Sequence, residues 1–397
     1  MTPEQLIAEQ LPRSIELRHR FHQIPELGYA EHKTAAAIRA ELDRLAIPYV
    51  AGVEGAPTAT IAWIGDIAKP CIALRADIDA LPILEQTGLT YASTHQGCMH
   101  ACGHDGHITT LLGAAAVLKT FTDSNELNCC LKFLFQPAEE GGGGANKLVQ
   151  AGALDGRIGP RVTAVFGLHG WPGLKVGTVA TKAGALLAAT DKFHVTFVGQ
   201  GCHAAFPHMG RDPIVAACET VMSLQHFVSR ETDPTEPAVV TVGMFHAGTA
   251  ENIIPDTATI EGTARTLSPQ MRQKIRASIE RRCRGVASAH ECEIQFEWEQ
   301  GYPPTINDPG MTDYLGKAAR SALGPDRFFL VPRPAMGGED FAYYLEQVPG
   351  CFFLVGVEPV EAAIHPPLHS DRFDFTDAAM GIGMRVFVEI ARNWPSA

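Results

Sequence analysis

No stretch of this chain holds the ~18 consecutive apolar residues that a membrane-spanning helix needs. Positive charge is scarce as well: 32 Lys and Arg stand against 44 Asp and Glu, for a net charge of −12. No basic stripe, Lys/Arg tract or nucleic-acid motif is present, which excludes nucleic acid as a partner. The ten cysteines are scattered through 397 residues without paired spacing, which excludes a disulfide framework. Cys71, Cys129, Cys130, Cys218, Cys283 and Cys351 read as buried thiols. No secretion signal is expected from Met1 to Leu17, which carries Glu4, Glu9 and Glu16 and no basic start before an apolar block. That segment reads as a helix with Thr2 as cap, Pro3 in the first turn and Gln5 three residues after the cap. The expected address is the cytoplasm.

What is plentiful is glycine (38) and histidine (16). Several histidines fall beside glycines and carboxylates in loops, where ligands are more plausible than core filler.

Helix and strand patterns alternate in the first part of the chain. Helices are expected up to Phe21, over 31–45 and over 107–121, and buried strands over 58–64, 71–74, 131–135 and 162–168. This order predicts an α/β fold with a mostly parallel sheet covered on both faces. From about Thr190 the pattern changes to strand, helix, strand, strand, helix, strand, ending near Trp298. That is the ferredoxin-like α+β order. Tyr302–Pro304 then reads as a linker, and the α/β pattern resumes. The expected division is 1–187 and 300–397 as the two parts of a catalytic domain, with 188–299 inserted between them.

Residues able to hold a metal or move a proton follow several of these strands. Asp77 and Asp79 come after 71–74, Glu139 and Glu140 after 131–135, His169 at the end of 162–168, and His369 soon after the expected strand at 351–355. In open α/β sheets ligands gather at the carboxyl ends of strands, so these segments are expected to converge. The loop Gly97–His107 adds Cys98, His100, Cys102, His104 and His107 within eleven residues. A lone Cys-Gly-His would be a capping loop with a buried thiol; this density favours metal. Cys102 and His104, two apart across a glycine, can chelate one centre, while His100 and His107 read as supporting groups. The Glu139-Glu140 pair can divide two jobs, one holding metal and the other a proton. The four glycines that follow it, Gly141 to Gly144, are expected to let the backbone approach a ligand closely.

Cys102, His104, Glu140, His169 and His369 make five candidate ligands. Two metals with three ligands each need six contacts, which five residues supply if the thiolate bridges. A two-metal hydrolytic centre follows, in which an acidified water attacks an amide and Glu139 serves as general base.

These residues also carry a family resemblance over nearly the whole chain. Arg18-His19-Arg20-Phe21-His22, Leu74-Arg75-Ala76-Asp77-Ile78-Asp79-Ala80-Leu81-Pro82, the Cys-Gly-His-Asp loop, Pro-Ala-Glu-Glu-Gly-Gly, Gly-Leu-His, Gly201-Cys202-His203-Ala204-Ala205, Asn252-Ile253-Ile254-Pro255 and Gly337-Gly338-Glu339-Asp340-Phe341 are its parts. The chain resembles the metal-dependent amidohydrolases of metallopeptidase family M-twenty, Cys-Gly-His subgroup, which include hippurate hydrolases, bacterial aminoacylases and plant hydrolases of indole-acetyl amino acids. The resemblance implies metal ligation by Cys102, His104, Glu140, His169 and His369, with Glu139 as base. It implies that the inserted domain acts as a lid and mediates dimerisation, and that His203 reaches the partner subunit's site as an oxyanion donor. Asn252 and Arg265 would hold substrate, and Gly338 would line its pocket. Where the wider family has a metal-binding His, this chain has Arg75, so Asp77 is expected to stand behind the ligands.

The expected activity is hydrolysis of N-acyl amino acids of the hippurate or aminoacylase type, with two divalent ions per chain (manganese, zinc, nickel or cobalt) and a homodimer as the assembly. The alternatives are a dipeptidase, an N-acyl-diaminopimelate deacylase, or a silent metal-binding scaffold. Glu139 argues against the last, because a metal buffer needs no unligated base.

Overall fold

The computed structural model describes residues 1–361 and 365–395. Helix α1 (Pro3–Gln23) opens with the expected capping box: Gln5 N–H donates to Thr2 Oγ1 at 3.3 Å, and Thr2 N–H donates to Gln5 Oε1 at 2.9 Å. Its Leu6, Ile7, Leu17 and Phe21 are buried, and it packs on α3 (His104–Asp123). Between them lie α2 (His32–Arg44), β1 (Tyr49–Val53), β2 (Ala56–Ile64) and β3 (Cys71–Asp77). After α3 come β4 (Cys130–Gln136), α4 (Gly144–Ala151), β5 (Val162–Lys175) and β6 (Val179–Thr181). The first turn of α3 starts at His104 rather than at His107, because Gly103 takes a left-handed cap at φ 86°.

The chain then forms a second compact unit, Ala185–Thr305 with Pro334–Glu339. Its elements are β7 (Ala189–Val198), α5 (Pro213–His226), β8 (Ala238–Ala247), β9 (Thr257–Thr266), α6 (Pro269–Ala289) and β10 (Glu293–Gln300). The four strands make one antiparallel sheet in the order β8-β9-β7-β10. Phe193, Val195 and Phe197 alternate toward a core shared with Leu224, Ile260, Ile275 and Ile279. A short pairing of Cys202–His203 with Ile253–Ile254 lies outside this sheet. The segment 334–339 belongs to this unit through backbone bonds, Ala335 N–H to Leu186 O and Ala188 N–H to Gly337 O, which no local pattern announces.

The first unit comprises Met1–Gly184, Ile306–Arg333 and Asp340–Ala397. Its later elements are α7 (Pro309–Leu323), β11 (Phe328–Leu330), β12 (Gly350–Glu358) and α8 (Ala378–Arg392). Eight strands form one sheet in the order β1-β2-β4-β3-β5-β12-β6-β11. The central run β4-β3-β5-β12 is parallel, as are β6 and β11, while the remaining three pairings are antiparallel. The sheet is therefore largely parallel, and its middle strands are buried on both faces, as their unbroken apolar runs require.

One register difference creates the working crevice. The pairing of β3 with β5 stops at Arg75 with Gly167, but β5 runs on beside β12 through Leu354 with His169 and Gly356 with Trp171. His169 thus lies within a strand rather than at its end.

The ring of Phe375 fills the space that three glycines leave open. A Cβ at Gly106 would come within 2.4 Å of the ring, one at Gly170 within 2.6 Å and one at Gly103 within 2.9 Å. Gly106→Ala should therefore destabilise the fold by ~1–3 kcal/mol, the usual cost of overpacking a rigid neighbour. Denaturant midpoints of the two proteins measure this, and an unchanged midpoint would mean that the ring moves freely.

Candidate metal centre

The loop before α3 is held at both ends by backbone. Leu81 and Met99 exchange a pair of N–H to O bonds at 3.0 Å, and His369 N–H donates to Ala101 O at 2.8 Å. Its far side is anchored by Arg18, fully buried on α1, which reaches Asp105 (3.2 Å), Asp374 (2.9 Å) and Asp377 (2.5 Å). Asp105 also meets His22 Nδ1 at 2.9 Å, and burial is outweighed there by Asp105 and Glu85, which push the His22 imidazole up to about 9.

The five expected ligands meet in this region. Cys102 Sγ lies 3.4 Å from His169 Nε2, and the opposite nitrogen of that ring donates to Gly170 O at 2.8 Å. His104 Nδ1 donates to Asp79 O at 2.8 Å, which turns Nε2 inward, 3.6 Å from Asp77 Oδ2 and 3.9 Å from Glu140 Oε1. That buried Nε2 has no hydrogen-bond partner among the described residues. His369 Nε2 lies 3.2 Å from Glu140 Oε1, on a residue in the left-handed region at φ 63°. Two sets of three ligand atoms result, Cys102 with His104 and His169, and Cys102 with Glu140 and His369, each with its atoms within 4.8 Å of one another. Cys102 belongs to both.

His107 is differently engaged. Its Nδ1 donates to Asp77 Oδ1 at 2.6 Å and its Nε2 accepts Gly170 N–H at 2.8 Å, so neither nitrogen is available to an ion. Asp77 Oδ2 in turn accepts Arg75 Nη1 at 2.7 Å and faces His104 Nε2 at 3.6 Å. Both nitrogens of buried His100 lack a hydrogen-bond partner among the described residues.

Glu139 is buried beside Glu140, and its Oε1 accepts Asp340 N–H at 3.4 Å. The backbone before it is strained, with Ala138 at φ 54°, and that peptide is held by Glu31, whose Oε1 accepts Ala138 N–H at 2.9 Å. Two of the glycines after Glu140 are required by the loop's own packing: a Cβ at Gly144 would fall 1.7 Å from Pro137 O and one at Gly142 2.6 Å from Ala138 Cβ. They let the loop close on itself.

Electrostatics favour a cation here. Burial would raise the Asp77 carboxyl, but His104, Arg75 and His107 hold it well below its usual range. Burial and the charges of Glu140, Glu139 and Asp77 push the Cys102 thiol well up. Burial lowers the His104 imidazole, yet Asp77, Asp79 and Glu140 overcome that and carry it up to about 10. The hydrogen bond to Glu140 raises His369. Protons thus stand where a dication would neutralise the same carboxylates, and soft sulfur with imidazole and carboxylate fits zinc, manganese, nickel or cobalt.

The remaining expected residues all lie in the second unit, in two groups. His203 pairs with Ile253 and accepts Ala205 N–H at Nδ1 (3.0 Å), while Asn252 O accepts Ala204 N–H. Arg265 stands opposite Thr190 in the sheet, and a Cβ at Gly338 would meet Thr190 Cγ2 at 2.2 Å. Arg265 is half-buried, and no hydrogen bond or ion pair engages its side chain among the described residues.

Reading the sequence passed over several residues that hold this site. Asp79, set aside once five ligands were counted, fixes His104 through its carbonyl and Glu140 through its carboxylate, which accepts Glu140 N–H at 3.0 Å. Glu31, Arg18 and Asp105 carried no assigned role.

Comparison with known proteins bears on this arrangement. The family model described as peptidase family M20/M25/M40 matches residues 73–393. An N-acetyl-L-cysteine deacetylase of Bacillus subtilis is 42% identical over 362 residues, covering 90% of this chain and 83% of that protein. The IAA-amino acid hydrolase ILR1-like 4 of Arabidopsis thaliana is 38% identical over 382 residues, covering 95% and 84%. Among solved structures, a Bacillus subtilis protein described as a dinuclear metal binding peptidase from the M20 family superposes with a TM-score of 0.83 at 35% identity, covering 97% of this chain and 98% of that one. No helix among the described residues is long and apolar enough to cross a membrane.

Ligation by His104, His369 and Cys102 requires their protons to leave. Metal uptake should therefore release at least about one proton per ion near neutral pH, and affinity should rise between about pH 6 and about pH 8. Calorimetry in buffers of different ionisation enthalpy measures the release; uptake without protons would contradict the charge balance described.

Proposed function

Because the chain belongs to peptidase family M20/M25/M40, it is a metal-dependent amidohydrolase with a dinuclear centre, and we propose that it hydrolyses N-acyl amino acids to a carboxylic acid and a free amino acid. The observation that carries this reading is the pair of three-atom ligand sets sharing Cys102, with buried Glu139 next to one of them. Cys102, His104, Glu140, His169 and His369 hold the two ions, and Asp77 orients from behind. The relatives' printed names, a deacetylase of N-acetyl-L-cysteine and a hydrolase of IAA-amino acids, support an acylated amino acid as substrate.

When bound, the ions supply Lewis acidity, lowering the pKa of water from near 16 to ~7 and polarising the amide carbonyl. The protein's own residues do the rest. Glu139 accepts a proton from the attacking water while the oxygen bonds to the amide carbon. The same carboxyl then delivers that proton to the nitrogen as the C–N bond breaks. Asp340 N–H and the Glu31-held peptide at Ala138 keep the Glu139 carboxylate from turning away. Arg265, a half-buried guanidinium with no ion partner among the described residues, suits the substrate carboxylate, and Gly338 packs closely on the Thr190 that stands opposite it. His203 and Asn252 serve as oxyanion and substrate donors.

Glu139→Gln should keep both ions and lower kcat by at least ~100-fold on a panel of N-acyl amino acids. Turnover near wild type in the metal-loaded variant would remove Glu139 from the chemistry, and a wild-type protein that cleaved dipeptides but no N-acyl amino acid would overturn the substrate class.

A homodimer fits the second unit. Its outer strand β8 is an open sheet edge that exposes Met244 and Phe245, and α5 exposes Val215 and Met222. In such an isologous dimer we take His203 to act in the partner subunit's site. If so, mixing a Glu139→Gln chain with a His203→Ala chain should restore activity. Random exchange makes about half the dimers mixed, each with one sound site of two, so recovery should approach about a quarter of wild type. Tagged mixed dimers that stay inactive would confine His203 to its own subunit.

A further inference from the structure

Strand β3 is buried along its whole length, yet its fifth residue is an arginine. The Arg75 side chain is fully enclosed and its fork reaches Asp77, Gln136 and Asp340. Nη1 donates to Asp77 Oδ2 at 2.7 Å, Nε to Gln136 Oε1 at 2.8 Å, and Nη2 to Asp340 Oδ1 at 3.0 Å. These partners lead in different directions. Asp77 accepts from His107 Nδ1, and His107 accepts the Gly170 N–H that follows His169. The other Asp77 oxygen faces His104 Nε2 at 3.6 Å. Asp340 is clamped by Gln136 Nε2 and by Ala145 N–H, and its own N–H donates to Glu139 Oε1. Gln136 ends β4, three residues before Glu139.

We propose that Arg75 is a positioning residue that links the metal side of the site to the base side, holding the strand at His169 through Asp77 and His107, and Glu139 through Asp340. This rests on the assignment of Glu139 and the ligands made above. Stability does not require such an arrangement. Buried ion clusters can often be replaced by well-packed apolar groups at little cost, so an arginine kept here is explained by the geometry it imposes. A guanidinium stays charged and presents donors in one fixed plane, so it can hold two carboxylates and an amide in register at once. An ammonium in its place is a point charge on a flexible stem and can hold only part of the set. With the fork gone, Asp340 loses its charge partner and the peptide donating to Glu139 can drift, while Asp77 still bonds to His107.

The test uses the metal-loaded full chain. Arg75→Lys and Asp340→Asn are made singly and together, and bound metal, circular dichroism, kcat and KM are measured. Folded Arg75→Lys protein with both ions should lose ~10- to 100-fold in kcat, the usual effect of removing a group behind a metal site. KM should move by less than about threefold, since substrate binding is not touched. The double variant should lose little more than the worse single one, because both changes cut one chain of contacts. Three outcomes overturn the proposal: a fully loaded Arg75→Lys protein with kcat within about twofold of wild type, a loss that only tracks missing metal, or single losses that multiply in the double variant. Should Arg75→Lys not fold, Asp340→Asn decides by the same measurements, since it keeps the shape and removes the charge. Glu139→Gln is run alongside; if that variant is fully active, the base assignment fails, and this outcome is distinct from any result at Arg75.

Discussion

Charge buried away from water must be neutralised where it stands, and this requirement organises the carboxyl end of the main sheet. Asp77, Asp105 and Asp340 are fully enclosed. Two arginines answer them, Arg18 from α1 against Asp105 and Arg75 from β3 against Asp77 and Asp340. Glu139, Glu140 and the Cys102 thiol lie beyond this fixed positive charge. The site is thus built one step short of neutrality, and dications complete it. The orientation of the rings follows from the same rule: His104 and His169 spend their outer nitrogens on backbone carbonyls, so the inner ones face the site, and that of His104 becomes a lone pair once its proton leaves.

Strand length does the rest. A parallel sheet whose central strands all ended at one level would offer a flat rim. Here β5 and β12 continue past the last pairing of β3, so His169 projects over a floor made by the ends of β3 and β4. Open α/β sheets bind ligands at such carboxyl ends. The loops that rise from this floor are stiff rather than adaptable. Ala138 and His369 adopt left-handed backbone that alanine and histidine disfavour, and each is pinned by a named bond, to Glu31 and to Ala101.

Much of this was legible in the sequence because it is encoded locally. The Thr2 capping box, the unbroken apolar strands and the alternation in Phe193, Val195 and Phe197 are periodicities within one element. The residues that stand out as possible ligands do converge in space: Glu140 follows a strand end, His169 lies on a neighbouring strand, and the loop before α3 brings Cys102 and His104 to the same rim. What stayed hidden depends on partners distant in the chain. Whether β5 stops at Leu168 or continues is decided by β12, nearly two hundred residues on. That Pro334–Glu339 joins the second unit is decided by bonds to Leu186 and Ala188. The glycines after Glu140 suggested an approach to ligand, but Gly142 and Gly144 approach Ala138 Cβ and Pro137 O instead. Asp79 acts largely through a carbonyl, which residue type alone does not reveal.

The interruption of the first unit by the second also has a consequence for how the protein is made. Residues 1–184 contain Cys102, His104, Glu139, Glu140 and His169, but His369 lies 185 residues beyond that boundary, since 369 less 184 is 185. At roughly 5–20 residues per second, a ribosome needs on the order of 10–40 s to reach it. For nearly all of that interval, until Gly350–Glu358 is made, β12 is missing from the middle of the sheet, and β5 presents a long, apolar, unpaired edge. A nascent chain in this state is most exposed to pairing with the wrong strand, so the demand for chaperone protection should fall on this window rather than on the finished protein.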